Sequence, residues 1–143
     1  MPSTVYGFLT LRGNQSFITK TQRALKYIER RTQGYLQFVE EHINVIAKGP
    51  QSGVSVTDSV FYVGSKTYCA STEWYASCIV HDATHVWLYR QGKPHGGREA
   101  ENVCLDRQRE FLIAAGAESS TINYITYLID NAVHYFSNPK RNW

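Results

Sequence analysis

Sixteen consecutive residues, Trp74 to Tyr89, read WYASCIVHDATHVWLY and carry one formally charged side chain, Asp82. A run this apolar, entered through Ser71-Thr72-Glu73 and left through Gln91-Gly92, predicts a helix buried on nearly every side. Its two histidines, His81 and His85, are four residues apart, so their rings project from one helix face a turn apart. Burying an imidazole–carboxylate–imidazole set is costly unless something compensates it. A metal ion held by the two imidazoles supplies that compensation, and it needs further donors from another segment.

The chain has 143 residues, enough for a single domain, 1–143, with a core of its own. Its net charge of +3 is small, and Lys and Arg are scattered, with short runs only at Glu29-Arg30-Arg31 and Lys140-Arg141. That distribution argues against a nucleic-acid partner. The opening MPSTVYGFLTLRGNQ has no basic leader and only a short, interrupted apolar run, so no signal peptide is expected. No segment reaches the length of a membrane span. The expectation is a cytoplasmic protein, or one exported without a recognisable signal, that does not engage membranes. Cys69, Cys78 and Cys104 form no CxxC, which argues against a zinc knuckle or a dithiol redox motif. Cys78 and Cys104 fall on apolar helical patterns and read as small core residues. A Cys69–Cys78 bridge is compatible with the spacing.

Residues 1–15 read as an irregular or strand-like lead-in. From Phe17 to about Glu41 the apolar positions recur at threes and fours, through Ala24, Leu25, Ile28, Tyr35, Leu36, Phe38 and Val39, with Gly34 as a kink or break. Ile43 to Ala47 either extends this helix or begins a strand. After the breaker Gly49-Pro50-Gln51-Ser52-Gly53, the β-branched and aromatic residues Val54, Val56 and Val60 to Val63 predict two short strands in a hairpin around Asp58-Ser59. Ser71 or Thr72 caps the buried helix, and Glu73 suits its positive end. A glycine-rich loop, 91–97, leads to a helix from Arg98 to about Ala115. Ser119-Ser120-Thr121 caps a last helix from Ile122 to about Phe136. The expected class is α+β: an N-terminal helix, a hairpin or small sheet, and a central helix packed on two more.

A catalytic zinc usually keeps three protein ligands and one open position. His95, Glu99 and Glu101 are the candidates for the third. Helical phase favours Glu101, which shares its stripe with Cys104, Leu105, Gln108 and Leu112, an inward face. Glu99 shares its stripe with Asn102, Asp106 and Glu110, a solvated face. Glu99 and His95 stand as alternatives.

With these residues in place, the segment His81-Asp82-Ala83-Thr84-His85 resembles the HExxH helix of zincin metallopeptidases, with aspartate where glutamate is usual. Arg98 to Cys104 (REAENVC) is similar to the glutamate-bearing helix that follows HExxH in small gluzincin-like families. The resemblance spans residues 54–112. It implies a minimal zincin-like domain that binds one zinc ion through His81, His85 and Glu101. It further implies that Asp82 is general base toward a metal-activated water, and that the substrate is a peptide or protein laid along the preceding strands. Tyr124, Tyr127 or His134 would stabilise the transition state if the last helix covers the cleft. Aspartate is one methylene shorter than glutamate, which motivates an alternative: a catalytically inactive, metal-stabilised binding or interaction domain. A third possibility is a structural protein whose histidines are satisfied in its core. A self-contained domain of this size also suits a toxin or effector. His42 and the Glu29 to Arg31 run are expected at the solvated surface. The sequence does not fix an oligomeric state.

Overall fold

The structure is a computed structural model that describes residues 2–131. His134 and the expected end of the last helix lie outside the described residues. The lead-in is a hairpin, with β1 (Ser3–Tyr6) antiparallel to β2 (Leu9–Arg12). Two helices, α1 (Gln15–Arg31) and α2 (Tyr35–His42), carry the chain across to β3 (Val45–Lys48), parallel to β2. The expected second hairpin forms from β4 (Gly53–Ser55) and β5 (Val60–Val63), and β5 lies parallel to β3. The sheet order is β1-β2-β3-β5-β4, which leaves β4 at an edge. Then come α3 (Ser65–Tyr68), α4 (Thr72–Arg90), α5 (Gly97–Ala114) and α6 (Ser119–Asp130). The protein is a mixed α+β fold, as the sequence predicts.

The helical pattern from Phe17 to Glu41 resolves into two helices. Thr32 closes α1, because its N–H and its hydroxyl both donate to the Ile28 carbonyl, at 3.2 and 2.7 Å. Gly34 then takes φ +88°, a conformation that side chains with a Cβ disfavour, and α2 restarts beyond it. The Ile43 to Ala47 segment becomes a strand: the Ile43 N–H closes α2 on Val39 O at 2.8 Å, and β3 pairs on both sides. His42 is buried rather than solvated, with Nδ1 2.7 Å from the Phe38 carbonyl. All three cysteines are free, so there is no Cys69–Cys78 bridge.

One face of the sheet supplies Leu9, Leu11, Ile46, Phe61 and Val63 to the core. These pack with Phe17, Leu25 and Ile28 of α1 and with Ile79, Val80, Ala83 and Val86 of α4. Tyr62, between Phe61 and Val63, points outward, as the two-residue period of a strand requires. The helix α4 sits at the centre, touching α1, α2, α3, α5, β4 and β5. It is buried without interruption from Tyr75 to Thr84. Its small polar residues are tolerated because they turn back on their own helix: Ser77 donates to Trp74 O and Thr84 to Val80 O, at 2.7 and 2.8 Å. Among the described residues, no helix is long and apolar enough to cross a membrane.

Candidate metal centre

The phase of α4 is set at its start, where the Ser71 hydroxyl accepts the Trp74 N–H at 3.2 Å. Ten residues on, His81 and Asp82 are 0% and 5% exposed, on a helix packed against α5. Glu101, in the second turn of α5, is 3% exposed and reaches both histidines. Its Oε1 lies 2.7 Å from His81 Nε2 and its Oε2 lies 3.3 Å from His85 Nε2. One buried carboxylate therefore bridges two imidazoles.

The hydrogen bonds behind the rings fix which nitrogen of each carries the proton. The Ser77 hydroxyl spends its hydrogen on Trp74 O, so it accepts from Gln108 Nε2, at 2.9 Å. That orients the Gln108 amide with Oε1 toward His81 Nδ1, 2.8 Å away, and Nδ1–H is the donor. His85 Nδ1 donates in the same way to the His95 carbonyl at 2.7 Å. Both Nε2 atoms are thereby turned toward Glu101. In neutral rings these atoms carry lone pairs, and a carboxylate has only lone pairs to offer in return. A cation belongs between them: a proton at the 2.7 Å spacing from His81, or a metal ion once the donors separate to more than about 3 Å.

The ion-free electrostatics agree with this. Against the penalty of burial, hydrogen bonds to Cys104 and Glu101, with the charges of Cys104 and Asp82, push the His85 pKa up to about 11. Burial raises the Glu101 pKa, but the hydrogen bonds from His81 and His85 outweigh it and hold the carboxyl far below the usual range. The pocket is organised to keep positive charge beside a carboxylate.

Cys104 is the buried residue that the sequence predicts, packed with Leu88 and Ala100, and its sulfur also lies beside the two imidazoles. Single donor atoms of His81, His85 and Cys104 lie within 4.8 Å of one another, a group that can hold a metal ion. Burial raises the Cys104 thiol pKa while the neighbouring His85 pulls it down. The signal was in the sequence: Cys104 follows Glu101 by three residues on the same inward stripe. Gln108 is on that stripe too, but its service to His81 depends on Ser77, across the helix interface.

Outside the cluster lies a cleft of about 370 Å³. Gly53 and Val54 of the edge strand line it, together with His95, Gly96 and Gly97 at the entry to α5. Asp82, His85 and Glu101 all line it. Gly97 has φ +87°, and a Cβ there would meet open space, so glycine is favoured here by backbone conformation rather than by crowding.

The other candidates fall elsewhere. Glu99 is exposed and faces a separate cleft with Trp87, Leu88 and Val103. The exposed His95 serves through its carbonyl, while its ring meets Tyr89 edge-on at 5.1 Å, outside the donor group. Tyr124 and Tyr127 are 52% and 58% exposed and do not line the cleft. Tyr124 packs on Trp74 at 5.1 Å and borders a different groove, so α6 does not bring a stabilising tyrosine to the site. Arg90, at the end of α4, donates to the Glu41 carbonyl and to Ser59 Oγ.

Compared with protein-family models, curated proteins and solved structures, the chain matches none.

Proposed function

We propose that this chain is a zinc-dependent hydrolase of the zincin type, acting on peptide bonds, with His81, His85 and Glu101 as its protein ligands. The observation that carries this reading is the pair of Nε2 atoms directed at one buried carboxylate, with each Nδ1 already committed to an acceptor. Two imidazoles and a carboxylate are a donor set that suits zinc with an open position. When bound, such an ion polarises a carbonyl and makes water a competent nucleophile near neutral pH.

The remaining roles fall to the chain itself. Gln108 and the His95 carbonyl hold the rings in one tautomer and one orientation. Asp82, which lines the cleft beside His85 and Glu101, takes a proton from the attacking water and returns it to the leaving amine. The β4 edge offers unpaired main-chain groups to an extended peptide. The absence of side chains at Gly96 and Gly97 leaves room for that peptide to pass.

The shorter reach of aspartate favours a second reading, a metal-stabilised domain that binds without cleaving. Metal analysis of purified protein beside His81→Ala and Glu101→Ala tests what the two readings share. One transition metal per chain is expected, held more weakly in both variants, and a wild-type protein without metal under non-chelating conditions would end both. Hydrolysis of peptides that vanishes in Asp82→Asn, at unchanged metal content, separates the first reading from the second.

A further inference from the structure

We propose that Cys104 is a fourth protein donor to the ion, so that the loaded site rests closed by protein atoms and the hydrolase is latent. This rests on the metal reading above and concerns how that same site is regulated.

Three observations converge on the thiol. Its sulfur belongs to the group of donor atoms gathered within 4.8 Å that includes both imidazoles. One of those imidazoles, His85, also faces Glu101, with Nε2 3.3 Å from Oε2. Cys104 is fully buried and lies one turn beyond Glu101 on α5, so carboxylate and sulfur descend from one helix face onto the same pair of rings.

Two imidazoles, a carboxylate and a thiolate make four donors. Four protein donors characterise closed, structural zinc sites, whereas catalytic sites keep three. On binding, the sulfur gives up its proton to solvent and contributes a soft, anionic ligand, favouring zinc or cobalt over magnesium or calcium. On its other side Cys104 joins a small apolar cluster with Leu88 and Ala100.

Cobalt(II) is the probe, added to chelator-stripped full-length protein carrying Cys69→Ser to remove the exposed thiol. A sulfur-to-cobalt charge-transfer band in the near ultraviolet is expected. It should vanish in Cys104→Ala and Cys104→Ser, persist in Cys78→Ala, and leave one cobalt per chain in all of them. Zinc affinity should fall in the Cys104 variants by more than the about 10–100-fold that outer-shell changes cause. Any peptide hydrolysis should rise, because three protein donors remain. Alanine is the best helix former and serine keeps the thiol's size, so the two variants guard against a folding artefact, with circular dichroism as the check. One bound cobalt per chain with visible bands that depend on His81 but no sulfur band overturns the proposal and spares the metal reading. A band that disappears with Cys78 instead overturns it as well. Failure of the protein to bind cobalt or zinc at all sinks the underlying reading, and the fourth donor with it.

Discussion

Gln108 does for His81 what a backbone carbonyl does for His85: it accepts the Nδ1 proton and leaves Nε2 to face Glu101. Gln108→Leu keeps the bulk and removes the acceptor, leaving a buried N–H unsatisfied at a cost of about 1–3 kcal/mol. Zinc affinity should drop about 10–100-fold, measured by competition with a chromophoric chelator. Gln108→Glu restores an acceptor and should recover most of the loss; equal weakening in both variants would mean that Gln108 acts through packing alone. At this scale helical phase made part of the site legible. Spacing alone put His81 and His85 on one face, and the stripe of α5 grouped Glu101, Cys104 and Gln108. It picked out Glu101 as a donor but could not show that Cys104 and Gln108 meet the histidines, because a buried cysteine or glutamine looks the same in sequence whether it touches a histidine or a leucine. The part played by the His95 carbonyl was invisible for a different reason: main-chain acceptors leave no trace in residue identity.

Elements closed by local chemistry were the readable ones. Asn14 accepts the Phe17 N–H at 2.9 Å and starts α1. Asn14→Ala should cost about 1 kcal/mol, read as a lower urea midpoint at unchanged m-value. The hairpin β4–β5, with its turn at Asp58-Ser59, was legible, as was α4 with its serine cap. The β3 strand was not, because pairing with β2 and β5 decides its conformation and both partners are distant in sequence. The β1 strand is tied to α1 by the Tyr6 hydroxyl, which donates to Glu29 Oε1 at 2.6 Å. Burial and then the hydrogen bond and charge of Glu29 push the Tyr6 pKa up to about 12. The folded chain thus holds this proton more tightly than the unfolded one, whose tyrosine titrates near ~10. The tie contributes fully below that pH and is lost as pH rises toward about 12. Unfolding free energy measured across this window should fall less steeply in Tyr6→Phe than in wild type, and identical slopes would show that the tie carries no pH dependence.

Across the whole molecule, the question is whether the ion builds the fold or only tightens it. The donor cluster joins α4 to α5, but those helices also meet through apolar residues that need no metal. Leu88 and Ala100 share one cluster, while Leu105, Phe111 and Leu112 belong to the main core with Ile79 and Val86. Small metallo-domains that lack such a core unfold when stripped. This chain should instead stay folded without its ion, with unchanged far-ultraviolet circular dichroism in excess chelator. The ion then contributes by mass action, about 2.7 kcal/mol when free zinc stands at a hundred times its dissociation constant. Wild-type protein should therefore melt several degrees higher with zinc than with chelator, and the difference should shrink in Glu101→Ala. Collapse of the helical signal on chelation would mean that the interface between α4 and α5 depends on the ion after all. Indifference of the wild-type melting temperature would mean that a proton, rather than a metal, sits between the imidazoles and Glu101.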